Sequence, residues 1–112
     1  MDPLFFTTPD EFRAWLEANH ATETELFVGF YKKASGRPTL TWAEAVEVAL
    51  RYGWIDGIRR SIDEISFTNR FTPRKRTSNW SAINIRTVER LIEEGLMHPA
   101  GLAAFEARKH SR

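Results

Sequence analysis

The sequence predicts an α+β fold, with about four helices packed on a small, mostly antiparallel sheet of about three strands. Three observations carry that expectation. Two threonine-led capping boxes each open a segment with helical apolar spacing, and two period-2 segments, 58–62 and 67–72, lie close enough to pair as a hairpin. The resulting order of helix, strand, helix, strand, strand, helix, helix is neither a strict strand–helix alternation nor all-helical. No repeat, linker or low-complexity tract interrupts it, so residues 1–112 read as a single globular domain.

Thr8 is placed as an N-cap, Pro9 as the first helical residue and Glu11 as the partner that returns a capping-box hydrogen bond. Phe12, Trp15 and Leu16 then make the apolar stripe of a helix ending near Asn19. Residues 26–31, Leu-Phe-Val-Gly-Phe-Tyr, are apolar on both alternating faces, which predicts a central or well-covered strand. Residues 34–38 form a turn by composition. Thr41 and Glu44 repeat the capping box before a second helix with Ala45, Val46, Ala49 and Leu50 on one face, running to Arg51 or Tyr52. Gly53 stands where a helix commonly ends in a left-handed residue.

Beyond Gly53, Ile58, Arg60 and Ile62 alternate with Arg59 and Ser61, and Phe67, Asn69 and Phe71 alternate with Thr68, Arg70 and Thr72. This predicts a hairpin across 63–65 with isoleucines and phenylalanines inward, Arg60 on the isoleucine side, and Gly57 at a bend or bulge. A tight turn at Asp56-Gly57 is the alternative, with an upstream arm of only Trp54 and Ile55. Pro73 ends the last strand. Thr77 or Ser78 then caps a third helix, with Trp80, Ile83, Val88, Leu91 and Ile92 on helical spacing up to Gly95. Pro99 starts a short fourth helix marked by Leu102 and Phe105, and residues 108–112 are expected to fray.

Composition narrows the function classes. A hydrophobic fraction of 42%, with 4 Trp and 8 Phe, supplies the bulk of a real core and argues against disorder. Sixteen basic against fifteen acidic residues leave a net charge of +1, so nucleic-acid binding through a polycationic surface is disfavoured and any basic function must be local. The absence of cysteine excludes disulfides, thiolate metal sites and cysteine nucleophiles. The N-terminus lacks a basic and apolar leader, and no stretch approaches the roughly 20 apolar residues of a membrane span. The default expectation is a cytoplasmic protein of open oligomeric state.

Local basic character is concentrated at Arg59, Arg60, Arg70, Arg74, Lys75 and Arg76, opposed in that interval by Asp63 and Glu64. Alternation sends Arg59 and Arg60 to opposite faces, so without a bulge they cannot form one clamp. Arg70, Thr72 and Arg74 share a face and, with Arg59 or Arg60 from across the hairpin, could fork onto a carboxylate or phosphate, with Lys75 adding charge. Trp54 and Trp80 flank the basic segment and suit stacking, while Asp56 would orient a ligand, act as a general base, or serve as a turn residue or arginine partner. The competing reading makes the same charges a solvated strand edge and Trp80 a core residue, with Trp15 and Trp42 as packing.

No catalytic residue is assigned. His20, His98 and His110 fall in a helix terminus, a loop and the tail without a second ligand at metal spacing, so neither metal nor cofactor is expected. Ser78 and Ser81 lack a histidine in their segment, and residues 35–38 lack phosphate-loop spacing. The expected function is non-enzymatic binding of a small anionic ligand through Trp54, Asp56, Arg59, Arg60, Arg70, Thr72, Arg74, Lys75 and Trp80, with docking of an acidic protein partner as one alternative and nucleic-acid binding, favoured by the run Arg74-Lys75-Arg76 but weakened by the near-neutral total charge, as another.

Several blocks also carry a resemblance. Leu-Phe-Val-Gly-Phe-Tyr-Lys-Lys at 26–33, Thr-Trp-Ala-Glu-Ala-Val at 41–46, Tyr-Gly-Trp-Ile-Asp-Gly-Ile-Arg at 52–59, Arg-Phe-Thr-Pro-Arg-Lys at 70–75, Trp-Ser-Ala-Ile-Asn at 80–84 and Pro-Ala-Gly-Leu-Ala-Ala-Phe at 99–105 together resemble the bacterial YdeI/OmpD-associated family. The resemblance implies a role in protection against bacteriocins or cationic antimicrobial peptides and association with an outer-membrane porin. It implies no reaction, substrate or catalytic residue. Members of that family usually continue beyond the fourth helix, so it further implies a short member or the N-terminal region of a longer one.

Overall fold

The structure is a computed structural model that describes residues 2–108; His110 and most of the segment expected to fray lie outside the described residues. In chain order the elements are β1 (Leu4–Phe5), α1 (Pro9–Asn19), β2 (Leu26–Tyr31), α2 (Trp42–Arg51), β3 (Trp54–Ser61), β4 (Ser66–Pro73), α3 (Ala82–Glu93) and α4 (Pro99–Ala107), with a 3₁₀ turn at Lys33–Ser35. The fold is α+β, with four α-helices among the described residues and a mixed sheet in the order β1-β2-β4-β3. β1 runs parallel to β2, and the other two pairings are antiparallel.

The sheet thus has four strands where the sequence suggests about three. β1 holds two residues, too few to show a period, and tertiary contact fixes it. Phe5 lies over Gly29, where a Cβ would come within 2.6 Å of its ring, and stacks on Tyr31 with centroids 4.7 Å apart. Glycine at position 29 is therefore what admits β1 to the sheet.

Both capping boxes form. Thr8 Oγ1 accepts from the Glu11 amide at 3.2 Å, and Thr41 Oγ1 accepts from the Glu44 amide at 3.1 Å, with each glutamate reaching back to its cap residue. The third helix starts later than the sequence suggests. Ser81, not Thr77 or Ser78, caps it by accepting from the Asn84 amide at 3.1 Å, so Trp80 stands outside the helix. Of the proposed stripe Val88 and Leu91 are buried, whereas Ile83 and Ile92 face outward. Leu102 of α4 is likewise exposed, and Phe105 is buried.

One face of the sheet carries the main core. Phe12 and Leu16 of α1 and Ala45, Val48 and Ala49 of α2 close over Leu26, Val28, Phe30, Trp54, Phe67 and Phe71. Full burial of a side chain such as Phe71 contributes about 1.5–3 kcal/mol, so this cluster dominates the stability of the α1–α2–sheet unit. A second cluster, Leu50, Val88 and Phe105 with Ile55, Trp80, Ile85 and Met97, fastens α3 and α4 to the other flank of α2. Among the described residues no helix is long and apolar enough to cross a membrane.

Candidate functional site

The decisive local feature is a bulge in β3. Asp56 pairs with Phe71 and Arg59 with Asn69, so the register shifts between them, as Gly57 suggests in the sequence. Regular alternation would put residues three apart on opposite faces; the extra residue puts Asp56 and Arg59 on the same face. Asn69, buried to 2% exposure, donates its Nδ2 to the Gly57 carbonyl at 3.3 Å and holds the bulge. Two corrections follow. Ile58 and Ile62 are 63% and 44% exposed rather than inward, because the bulge changes the phase of the strand after Asp56. Arg59, not Arg60, takes the helix-covered face with Phe67 and Phe71.

Arg59 there lines a cleft of about 690 Å³ together with Tyr31, Lys32, Lys33, Gly36, Arg37, Thr39, Thr41 and Phe67. Among the described residues four cations and no carboxylate line this space. The 3₁₀ turn places the first two lysines, and Gly36, at φ 72°, folds the chain back so that Arg37 reaches Tyr31. Both arginines are held by aromatic stacks. Phe30 stacks on Phe67 at 5.1 Å and the Arg59 guanidinium lies 3.8 Å from the Phe67 centroid. Phe5 stacks on Tyr31, over which Arg37 lies at 5.0 Å, with Arg37 Nη1 also donating to the Tyr31 hydroxyl at 3.4 Å.

Other polar groups around the cleft are already committed. Thr39 Oγ1 accepts from the Tyr31 amide and donates to the Leu40 carbonyl. At the start of α2 the Glu44 amide is capped by Thr41 and the Thr41 amide by Glu44, whose carboxylate partly offsets the positive end of the helix. Among the described residues the Arg59 guanidinium has no carboxylate or carbonyl partner. Lys32 acts at a distance on Asp63, whose carboxyl is held below its usual range chiefly by the Ser66 hydroxyl.

The residues expected to bind do not converge as a set. Trp54 is 1% exposed and packs edge-on against Trp15 at 5.7 Å, so its rings are taken up by the core and not offered to a ligand. Arg60 pairs with Thr68 and Ile55 with Thr72, which puts Arg60, Thr72 and Arg70 on the face opposite Arg59. Arg70 is engaged there by Glu25, with Nε to Oε1 at 2.7 Å. Arg74, past the end of β4, does not continue the Arg70–Thr72 row: its guanidinium lies 3.8 Å over Trp80, and its Nη2 donates to the Asn79 carbonyl at 2.6 Å. Arg74 Nε and Nη1 are buried without a partner, and burial lowers its pKa against the opposing effect of Asp56. Lys75 is exposed in the loop that follows.

Asp56 is neither a turn residue nor bonded to an arginine. Its Oδ2 accepts from the indole Nε1 of Trp42 at 3.2 Å. Trp42, expected to be packing, is 46% exposed and ties the start of α2 to β3 instead. Trp80 packs edge-on against Phe105 and carries Arg74 on its face, combining the core role with the cation contact.

A separate cluster joins α1 to the start of α4. The rings of His20 and His98 are 4.7 Å apart, and His98 stacks on Tyr52 at 4.8 Å. The Tyr52 hydroxyl donates to Glu17 Oε2 at 2.8 Å, and burial followed by this bond pushes its pKa up. His98 is the cap of α4: its Nδ1 accepts from the Ala100 amide at 3.0 Å, leaving Nε2 4.0 Å from Glu17. Sequence separation hides this grouping; the only local signal was a polar residue directly before Pro99. Among the described residues no group of three or more His, Asp or Glu side chains is disposed to hold a metal ion.

Residues 4–104 match the model of a family described as a domain of unknown function, DUF8412, and the chain belongs to that family. No curated protein and no solved structure matches it.

Proposed function

We propose that this DUF8412 member is a non-enzymatic binding domain for a small anion, seated in the cleft shared by Lys32, Lys33, Arg37 and Arg59. The observation that carries the reading is a cleft of about 690 Å³ lined, among the described residues, by four cations and no carboxylate. Like charges gathered around one partly walled space repel one another and raise the local concentration of counter-ions, so an anion both relieves the repulsion and finds donors. The volume falls in the range of small-molecule sites, about 300–1,000 Å³.

Thermal unfolding in the presence of phosphate, citrate and nucleotides tests it. A ligand held by the native state at about 100 times its Kd adds about 2.7 kcal/mol, a shift of several degrees. Arg59→Glu should abolish the shift, whereas Arg70→Glu should leave it, because Arg70 does not line the cleft and is engaged by Glu25. No stabilisation by any anion at saturation contradicts the proposal.

A second reading, docking of an acidic protein partner, is favoured by the exposed Ile58, Ile62 and Ile65 beside Arg59 and Arg60, on or next to the edge strand β3. It fits the protective, protein-associated role implied by the resemblance to YdeI/OmpD-associated proteins. Salt-sensitive binding of a defined acidic protein, lost when Ile58 and Ile62 are replaced by serine, is its signature.

A further inference from the structure

We infer that the anion recognised in this cleft is a phosphomonoester, read by the two arginine forks of Arg37 and Arg59; the inference rests on the anion-binding reading and names its ligand class. The argument starts from what holds each arginine. Arg59 ends the stack Phe30–Phe67–Arg59, and Arg37 ends the stack Phe5–Tyr31–Arg37. A guanidinium lying on an aromatic face has lost much of its freedom before any ligand arrives, so little further ordering is needed on binding. Its in-plane N–H groups remain available. Those of Arg59 have no carboxylate or carbonyl partner among the described residues, and the Arg37 bond to the Tyr31 hydroxyl, at 3.4 Å, is a long one.

Acceptor count then separates the ligand classes. A carboxylate has two oxygens and is saturated by one fork, and a dicarboxylate spreads its four oxygens over two separate centres, whereas a phosphoryl group gathers three terminal oxygens and two negative charges at one centre, enough for two forks with the lysine ammonium groups beside them. Lys32 and Lys33 supply that further charge without demanding a fixed geometry. The cleft is also much larger than an inorganic phosphate, which leaves room for the organic part of an ester.

Isothermal titration of the protein with phenyl phosphate, phthalate and a ten-residue oligothymidylate at pH 8 and constant salt tests the inference, because phenyl phosphate and phthalate are both dianions at that pH. Phenyl phosphate should bind at least about ten-fold more tightly than phthalate. Arg59→Lys, which keeps the charge and removes the fork, should weaken phenyl phosphate about ten-fold and leave phthalate within about two-fold. Arg59 is exposed, and unchanged circular dichroism and Tm will show that the variant folds. Equal affinity for the two dianions, or no effect of Arg59→Lys, overturns the phosphomonoester inference while leaving an anion site. Tighter binding of the oligonucleotide with steep salt dependence overturns it in favour of a phosphodiester track. No binding of any probe removes both readings.

Discussion

Replacing Gly101 by alanine sets two effects of one methyl group against each other. In an unobstructed helix interior the change stabilises by up to about 1 kcal/mol. Here α4 crosses the end of α2 so closely that a Cβ at residue 101 would lie 2.2 Å from the Arg51 carbonyl oxygen, 2.7 Å from its carbon and 2.8 Å from Met97 Cε. Carbon–oxygen contacts settle at roughly 3.3–3.6 Å, so α4 must retreat by about 1 Å from an obstacle that is itself backbone. The same carbonyl accepts from the His98 amide at 3.0 Å, a bond worth about 1 kcal/mol net that the retreat stretches. Overpacking of this kind costs about 1–3 kcal/mol, and the lost bond roughly cancels the gain in propensity. With about 4 °C per kcal/mol for a domain of this size, Tm should fall by about 4–12 °C. Thermal unfolding followed by far-ultraviolet circular dichroism measures it. An unchanged or raised Tm refutes the close docking of α4 on α2.

Gly57 should behave oppositely. A Cβ there meets its nearest neighbour, the Arg70 carbonyl oxygen, at 3.4 Å, and its φ is not positive, so Gly57→Ala should keep or raise stability by up to about 1 kcal/mol in urea unfolding; a loss above that size contradicts the bulge geometry. Tyr52 gives a pH dependence. Its raised pKa means that the folded state holds the phenolic proton more tightly than the unfolded chain, so its contribution is complete below about pH 10 and is lost as pH rises through the folded value. Tyr52→Phe should therefore flatten the alkaline decline in stability, and an equally steep decline in the variant counts against the part-buried Tyr52–Glu17 bond.

What was legible in the sequence was legible because it is local. The capping boxes at Thr8 and Thr41, the left-handed Gly53 and the strand at 26–31 each depend on neighbours within a few residues, and each has its expected form. The hairpin was legible as a pairing but not in its facing. The bulge held by Asn69 exchanges the faces of Arg59 and Arg60 and turns Ile58 and Ile62 outward, a phase change that strict alternation does not anticipate. Trp54 attracts attention as an aromatic among arginines, yet burial against Trp15 decides its role. The cleft joins Lys32, Lys33 and Arg37 to Arg59 from across the sheet, and the cluster of His20, Tyr52 and His98 draws on residues far apart in the chain, so neither has a sequence spacing by which to be found.

The central claim is most directly tested by a two-dimensional amide NMR titration with inorganic phosphate at low salt. Saturable shifts are expected to concentrate at Lys32, Lys33, Gly36, Arg37, Thr41, Arg59 and Phe67, the residues that line the cleft. Shifts centred instead on Arg60, Arg70 and Thr72, or no saturable shift anywhere, would contradict it.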